Sequence, residues 1–92
     1  MSEPTLSICV PSRNRQIYFQ ETIKSLLVSE RDDVEFVFVD NSDDPSVMDG
    51  FMRAFAGDRR IRYLRSGKTT LSMMDNWERA LKAATGRFVA FI

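Results

Sequence analysis

An α/β fold built on a mostly parallel sheet of about four strands is predicted by three features of this sequence. Short runs rich in Val, Ile and Phe alternate with stretches whose apolar residues recur at helical spacing. Each helical stretch is long enough to carry the chain back across a sheet. Turn formers and helix caps fall at the junctions, so the order β-α-β-α-β-α-β implies parallel strands joined by right-handed crossovers.

Residues 6–10 form a short apolar run closed by Pro11, read as a strand that ends where proline can no longer donate to a ladder. In residues 17–29 the positions Phe19, Ile23, Leu26 and Leu27 mark one face of a helix. Arg31-Asp32-Asp33 turns the chain into a second strand, 34–39, whose Phe and Val content suits burial on both faces. Asp44 before Pro45 reads as a helix cap with proline at the first helical position. Met48, Phe51, Met52 and Phe55 follow as a helical stripe, with Gly57 as its stop. Residues 61–64 are a third strand and 65–70 a loop. The last helix runs from Ser72 to Thr85, with Ser72 and Asp75 in capping-box spacing. Met73, Met74, Trp77, Ala80, Leu81 and Ala84 are expected on its inner face, Trp77 in the core, and Gly86 ends it. Residues 87–92 make a fourth strand. A parallel strand there with no helix after it leaves a sheet face uncovered. Residues 1–92 are therefore expected to be one incomplete domain, the N-terminal part of a longer catalytic domain, and to self-associate.

Composition narrows the function. Thirteen basic and thirteen acidic side chains cancel, so no net field favours nucleic acid or anionic lipid. No apolar run is long enough to cross a membrane, and the first residues lack the basic and apolar stretches of a signal peptide. A single Cys and no His leave no internal disulfide and argue against a zinc site. Cys9 reads as an inert buried thiol, and the expected compartment is cytoplasmic.

The most informative segment is Glu35 to Pro45, an apolar strand that ends in the carboxylate of Asp40. Open α/β sheets bind ligands at the carboxyl ends of their strands. A carboxylate is an acceptor-only group and could take an N–H or hydroxyl of a ligand there. The competing reading is a turn aspartate that bonds its own backbone. Asn41, Ser42, Asp43 and Asp44 fit turn formation and capping, with ligand contact by Asp43 or Asp44 as the alternative. After the first strand, Ser12 and Asn14 offer short polar groups where a base or ribose could lie, or else Asn14 caps the next helix. Asn76, beside Trp77, sits inside a helix at a cost in propensity, which a hydrogen bond to the loops over the sheet would explain.

Three phosphate or phosphorylation motifs are excluded. Ser66-Gly67-Lys68-Thr69-Thr70 lies between a strand and a helix, but the Walker pattern needs a glycine where Arg62 stands. Gly67 and Lys68 could still meet a diphosphate through charge and backbone N–H groups, against the plainer reading of a solvated turn. No Gly-x-Gly-x-x-Gly follows the first strand, and no acidic pair stands where a phospho-receiver domain carries one.

Three blocks together resemble the start of a family-2 glycosyltransferase. Ser7-Ile8-Cys9-Val10-Pro11-Ser12-Arg13-Asn14-Arg15 is similar to that family's opening strand and its Pro-Thr-x-Asn-Arg loop. Phe36-Val37-Phe38-Val39-Asp40-Asn41-Ser42 is similar to its second strand. The stretch from Leu71 through Asn76-Trp77-Glu78-Arg79-Ala80-Leu81 to Ile92 is similar to the helix and strand that lead to its metal motif. The resemblance implies a three-layer, Rossmann-like GT-A fold of the nucleotide-diphospho-sugar transferase type, here truncated.

It further implies that Pro11, Ser12 and Asn14 border a nucleotide pocket, that Asp40 binds the base, and that Ser42, Lys68 and Asn76 belong to the same site. Arg13 stands where many members carry an aromatic residue. The implied donor is a nucleotide-diphosphate sugar, commonly a UDP-sugar, and the acceptor a glycan, lipid or protein hydroxyl. Mg²⁺ or Mn²⁺ would be held by an Asp-x-Asp beyond Ile92, and transfer would invert the anomeric centre by in-line attack. These residues alone are expected to hold no metal, to bind uridine diphosphate weakly and to be inactive. The alternative from another class is a non-catalytic α/β module for nucleotide binding or protein interaction.

Overall fold

Seven elements alternate along the chain in the computed structural model, which describes residues 4–65, 67 and 70–92. They are β1 (Leu6–Ser12), α1 (Gln16–Leu27), β2 (Val34–Asp40), α2 (Ser46–Arg53), β3 (Ile61–Leu64), α3 (Met73–Ala83) and β4 (Phe88–Phe91). The strands form a single parallel sheet in the order β3-β2-β1-β4. The chain steps outward from β1 through β2 to β3, then returns across the sheet to place β4 on the other side of β1. A crossover that keeps its hand while reversing direction must change faces. Hence α1 and α2 cover one face and α3 the other, which gives three layers.

The two faces are packed differently. On the α1–α2 side, Val10, Phe36 and Phe38 meet Phe19, Ile23, Met48 and Met52. The ring of Phe38 stacks on Phe36 and meets Phe19 edge-on. On the α3 side Cys9, Val37 and Val39 meet Ala80, and the Cys9 thiol donates to the Ala80 carbonyl at 3.8 Å. Small side chains there let the helix approach closely. Burial, with the nearby Glu35 charge, pushes the Cys9 thiol up to about 11, in line with an inert thiol.

Two expectations are corrected. β1 does not stop before Pro11 but continues to Ser12, with Pro11 opposite Val39. Ser12 O accepts from Asn41 on the β2 side and Cys9 O accepts from Ile92 on the β4 side. Backbone groups alternate in direction, so the donor that Pro11 lacks falls on the β4 side, past the last pairing of Cys9 with Phe91. Among the described residues proline there displaces no ladder bond.

The second correction concerns α3. Met73, Met74, Trp77 and Leu81 are exposed, Trp77 by 46% with its ring stacked on Phe91, and the buried positions are Asn76 and Ala80. The helix is rotated because Asn76 and Arg79 find hydrogen-bond partners inside, as described below.

At the amino ends of the strands, Glu35 is buried on the α3 side of β2. Its carboxylate accepts from Ser7 Oγ at 2.6 Å, Thr85 N at 2.8 Å and Arg62 Nε at 2.5 Å. Desolvation alone would raise its pKa, but these bonds outweigh it and hold the carboxyl below its ordinary range. Ser7 Oγ in turn accepts from Gly86 N at 2.8 Å. A Cβ on Gly86 would lie 2.7 Å from Ser7 N, so glycine is required by the close approach of the two backbones. This cluster ties the end of α3 to the sheet.

Candidate functional site

The strand order reverses between β1 and β4, and in open α/β sheets ligands gather outside the carboxyl ends of strands at such a point. A cavity of about 520 Å³ opens there, between the first turns of α1 and α3. Its wall includes Pro11, Ser12, Arg13, Asn41, Asn76, Trp77 and Ile92.

Three loops surround it, one after each of β1, β2 and β3, and side chains stitch them together. Ser12 pairs in register with Asp40, and Asn41 N donates to Ser12 O at 2.8 Å, so the first loop lies beside Asp40 as the sequence predicts. Asn14 has φ of 54°, the left-handed region that asparagine tolerates better than most residues. Its N–H donates to Ser42 Oγ at 2.9 Å, its Nδ2 donates to Asp43 Oδ2, and its Oδ1 accepts from Asp43 N. Asn14 therefore joins two loops and does not cap α1, whose first turn has no side-chain cap. Arg13 donates to Asn41 O at 3.0 Å and pairs with Asp43.

Asp40 is fully buried, and its Oδ1 accepts from Ser42 Oγ at 2.6 Å and Ser42 N at 3.1 Å. That is the local turn geometry expected of a strand-end aspartate. It also aligns Ser42, itself 5% exposed, with Asn14. Asp44 Oδ1 accepts from Ser46 N in an Asx turn that lowers its pKa, but the N-cap of α2 is Pro45 and not Asp44 as the sequence predicts, because the helix starts one residue later, at Ser46.

Two residues not assigned to the site from the sequence complete the web. Asn41 meets Leu71 through both amide atoms: Nδ2 donates to Leu71 O at 2.9 Å and Oδ1 accepts from Leu71 N at 3.1 Å. A side chain thus imitates a strand neighbour and pins the third loop to the second. Arg79 reaches under the same loops, donating to Asp40 O at 2.7 Å, Arg65 O at 3.1 Å and Asn76 Oδ1 at 3.1 Å. Burial lowers its pKa, and the charge of Asp40 opposes that shift. The signal in the sequence was the spacing of Asn76 and Arg79, which puts them on one face of α3. Among the described residues Asn76 reaches the loops through Arg79.

Of the predicted residues, Pro11, Ser12 and Asn76 line the cavity, and Asn14, Asp40 and Ser42 form the hydrogen-bonded shelf beside it. Lys68 lies outside the described residues. Among the described residues no three His, Cys, Asp or Glu side chains converge on a metal-sized space. Asp43 is engaged by Arg13 and Asn14, and Asp49 by Tyr63 and Arg65, so these acids do not fit the role of cation ligands. No described helix is long and apolar enough to cross a membrane.

Residues 7–92 match the glycosyl transferase family 2. A similar protein is the GalNAc(5)-diNAcBac-PP-undecaprenol beta-1,3-glucosyltransferase of Campylobacter jejuni, 28% identical over 89 residues. That alignment takes in 97% of this chain but 29% of the relative. With the strand order, the cavity at its reversal and a family match over nearly the whole sequence, the chain belongs to glycosyl transferase family 2.

Proposed function

We propose that these residues form the donor-nucleotide site of an enzyme that transfers a hexose from a nucleotide-diphosphate sugar, a UDP-sugar by preference, to an acceptor hydroxyl. The observation that carries this reading is the stitching of three strand-end loops around a cavity at the sheet's reversal point. Pro11, Ser12, Asn14 and Asn76 are assigned to the nucleotide, with Asp40 and Ser42 beneath them. Lys68 is assigned to the diphosphate on its charge alone. The relative acts with a lipid-linked glycan, by its name, and a glycan or lipid acceptor is the corresponding proposal here. Cytoplasmic placement belongs to the same proposal.

Members of the family commonly use Mg²⁺ or Mn²⁺, which would neutralise the leaving diphosphate. The described acids do not form such a site, so these residues are given recognition and orientation of the nucleotide. Transfer by the 92 residues alone is not expected.

The test is a titration of the ¹⁵N-labelled chain with uridine, guanosine and adenosine diphosphates at millimolar concentration. Uridine diphosphate should move the amide resonances of 12–14 and 41–43 more than the purine nucleotides do. Shifts confined to the Glu35 end of the sheet, or no shifts at all, would remove the assignment. Assay of the full reading frame against a panel of nucleotide sugars then identifies the sugar.

A further inference from the structure

We infer that Arg79 is a positioning residue that fixes the amide of Asn76 so that the cavity is offered an N–H donor and not a carbonyl. This inference rests on the nucleotide reading and adds the chemistry of one contact within it. A guanidinium carries donors only, so the Asn76 atom that faces it must be the oxygen. The contact is Arg79 NH2 to Asn76 Oδ1 at 3.1 Å, and the same nitrogen also holds Asp40 O at 2.7 Å. Arg79 NH1 is held by Arg65 O at 3.1 Å, so the guanidinium cannot swing away to let the amide turn over.

The consequence falls on the other edge of the amide. Asn76 is 96% buried by the complement of its 4% exposure, yet it contributes to the cavity wall. Its Nδ2 makes no hydrogen bond to any described residue. An amide nitrogen that opens on a cavity with no protein acceptor is left to water or to a ligand, and it favours a ligand that brings an acceptor to that point. In a nucleotide diphosphate the acceptors are base carbonyls, ribose oxygens and phosphate oxygens. A ligand presenting only N–H or a protonated nitrogen there is excluded by the same geometry.

Two substitutions and one resonance test this, with uridine diphosphate as the probe. N76D keeps an oxygen toward Arg79 while replacing the donor edge with an acceptor. Its affinity should fall by roughly tenfold or more in a chain whose amide spectrum shows the fold intact. R79M frees the amide and should weaken binding as well. If Arg79 acts through Asn76, the loss in the double variant falls short of the product of the two single losses; if Arg79 serves only to hold the loops, the two losses multiply and the inference fails. Should R79M not fold, N76D and the ¹⁵N side-chain resonance of Asn76 decide the matter alone.

That resonance should move when uridine diphosphate is added. Shifts at 12–14 and 41–43 with an unmoved Asn76 amide, or an N76D variant that binds as well as the parent, would overturn the inference while leaving the nucleotide reading intact. No shift anywhere removes both.

Discussion

Replacing Glu35 should separate the scaffold from the site, because this carboxylate lies at the opposite end of the sheet from the cavity. Glu35 is 6% exposed and accepts from Ser7 Oγ, Thr85 N and Arg62 Nε. A hydrogen bond to a charged group contributes about 1.5–3 kcal/mol. The Arg62 side chain is 54% exposed, so its ion pair with Glu35 is discounted to about 1 kcal/mol or less. Truncation in E35A would leave the Thr85 N–H and the Ser7 hydroxyl without their acceptor, for a total of about 3–5 kcal/mol.

A domain of this length has about 5–14 kcal/mol in all, so E35A removes a large share. In urea, with a slope of about 1–2 kcal/mol per molar, the midpoint should drop by about 1.5 M or more. E35Q keeps the shape and one acceptor oxygen, and should cost about half as much.

The pH dependence gives the sign. The folded pKa of Glu35 is depressed, so its stabilisation is fully present above the unfolded value of about 4.3 and is lost as pH falls through the lower folded value. The stability gap between the parent and E35Q should therefore narrow below about pH 4. A gap of the same size at about pH 3 and pH 7 would refute the claim that an ionised Glu35 holds the cluster.

Other outcomes follow from the same contacts. G86A should destabilise by about 1–3 kcal/mol, because the new Cβ meets backbone of Leu6 and Ser7 and the strand has to move; thermal unfolding measures it. N41A should cost about 1–3 kcal/mol and speed hydrogen exchange at the Leu71 amide, whose acceptor it removes. Asp40→Ala should weaken nucleotide binding and, given the bonds to Ser42, also cost about 1–2 kcal/mol of stability. Calorimetry with uridine diphosphate should show weak binding that Mn²⁺ does not strengthen; tight, Mn²⁺-dependent binding would contradict the metal assignment. Met73, Met74, Leu81 and Phe88 are exposed, so sedimentation should detect concentration-dependent self-association, with a monomer at every concentration as the contrary result.

The layered plan is legible in the order of apolar runs and helical stretches along the chain. Runs of Val, Ile and Phe separated by helical stretches left parallel pairing as the economical arrangement, and the position of Asp40 at the end of β2 followed from strand length. The adjacency of Ser12 and Asp40 followed from the same plan. Periodicity misplaced the face of α3, because an apolar count cannot see that Arg79 meets partners from loops far along the chain and bonds Asn76 beside it. The roles of Asn41, Arg79 and Glu35 were decided only by tertiary structure. Each depends on a hydrogen bond spanning 27 or more positions, and no local pattern specifies which carbonyl or amide will be waiting. Local sequence sets where a polar side chain starts; the packing of distant segments sets what it holds.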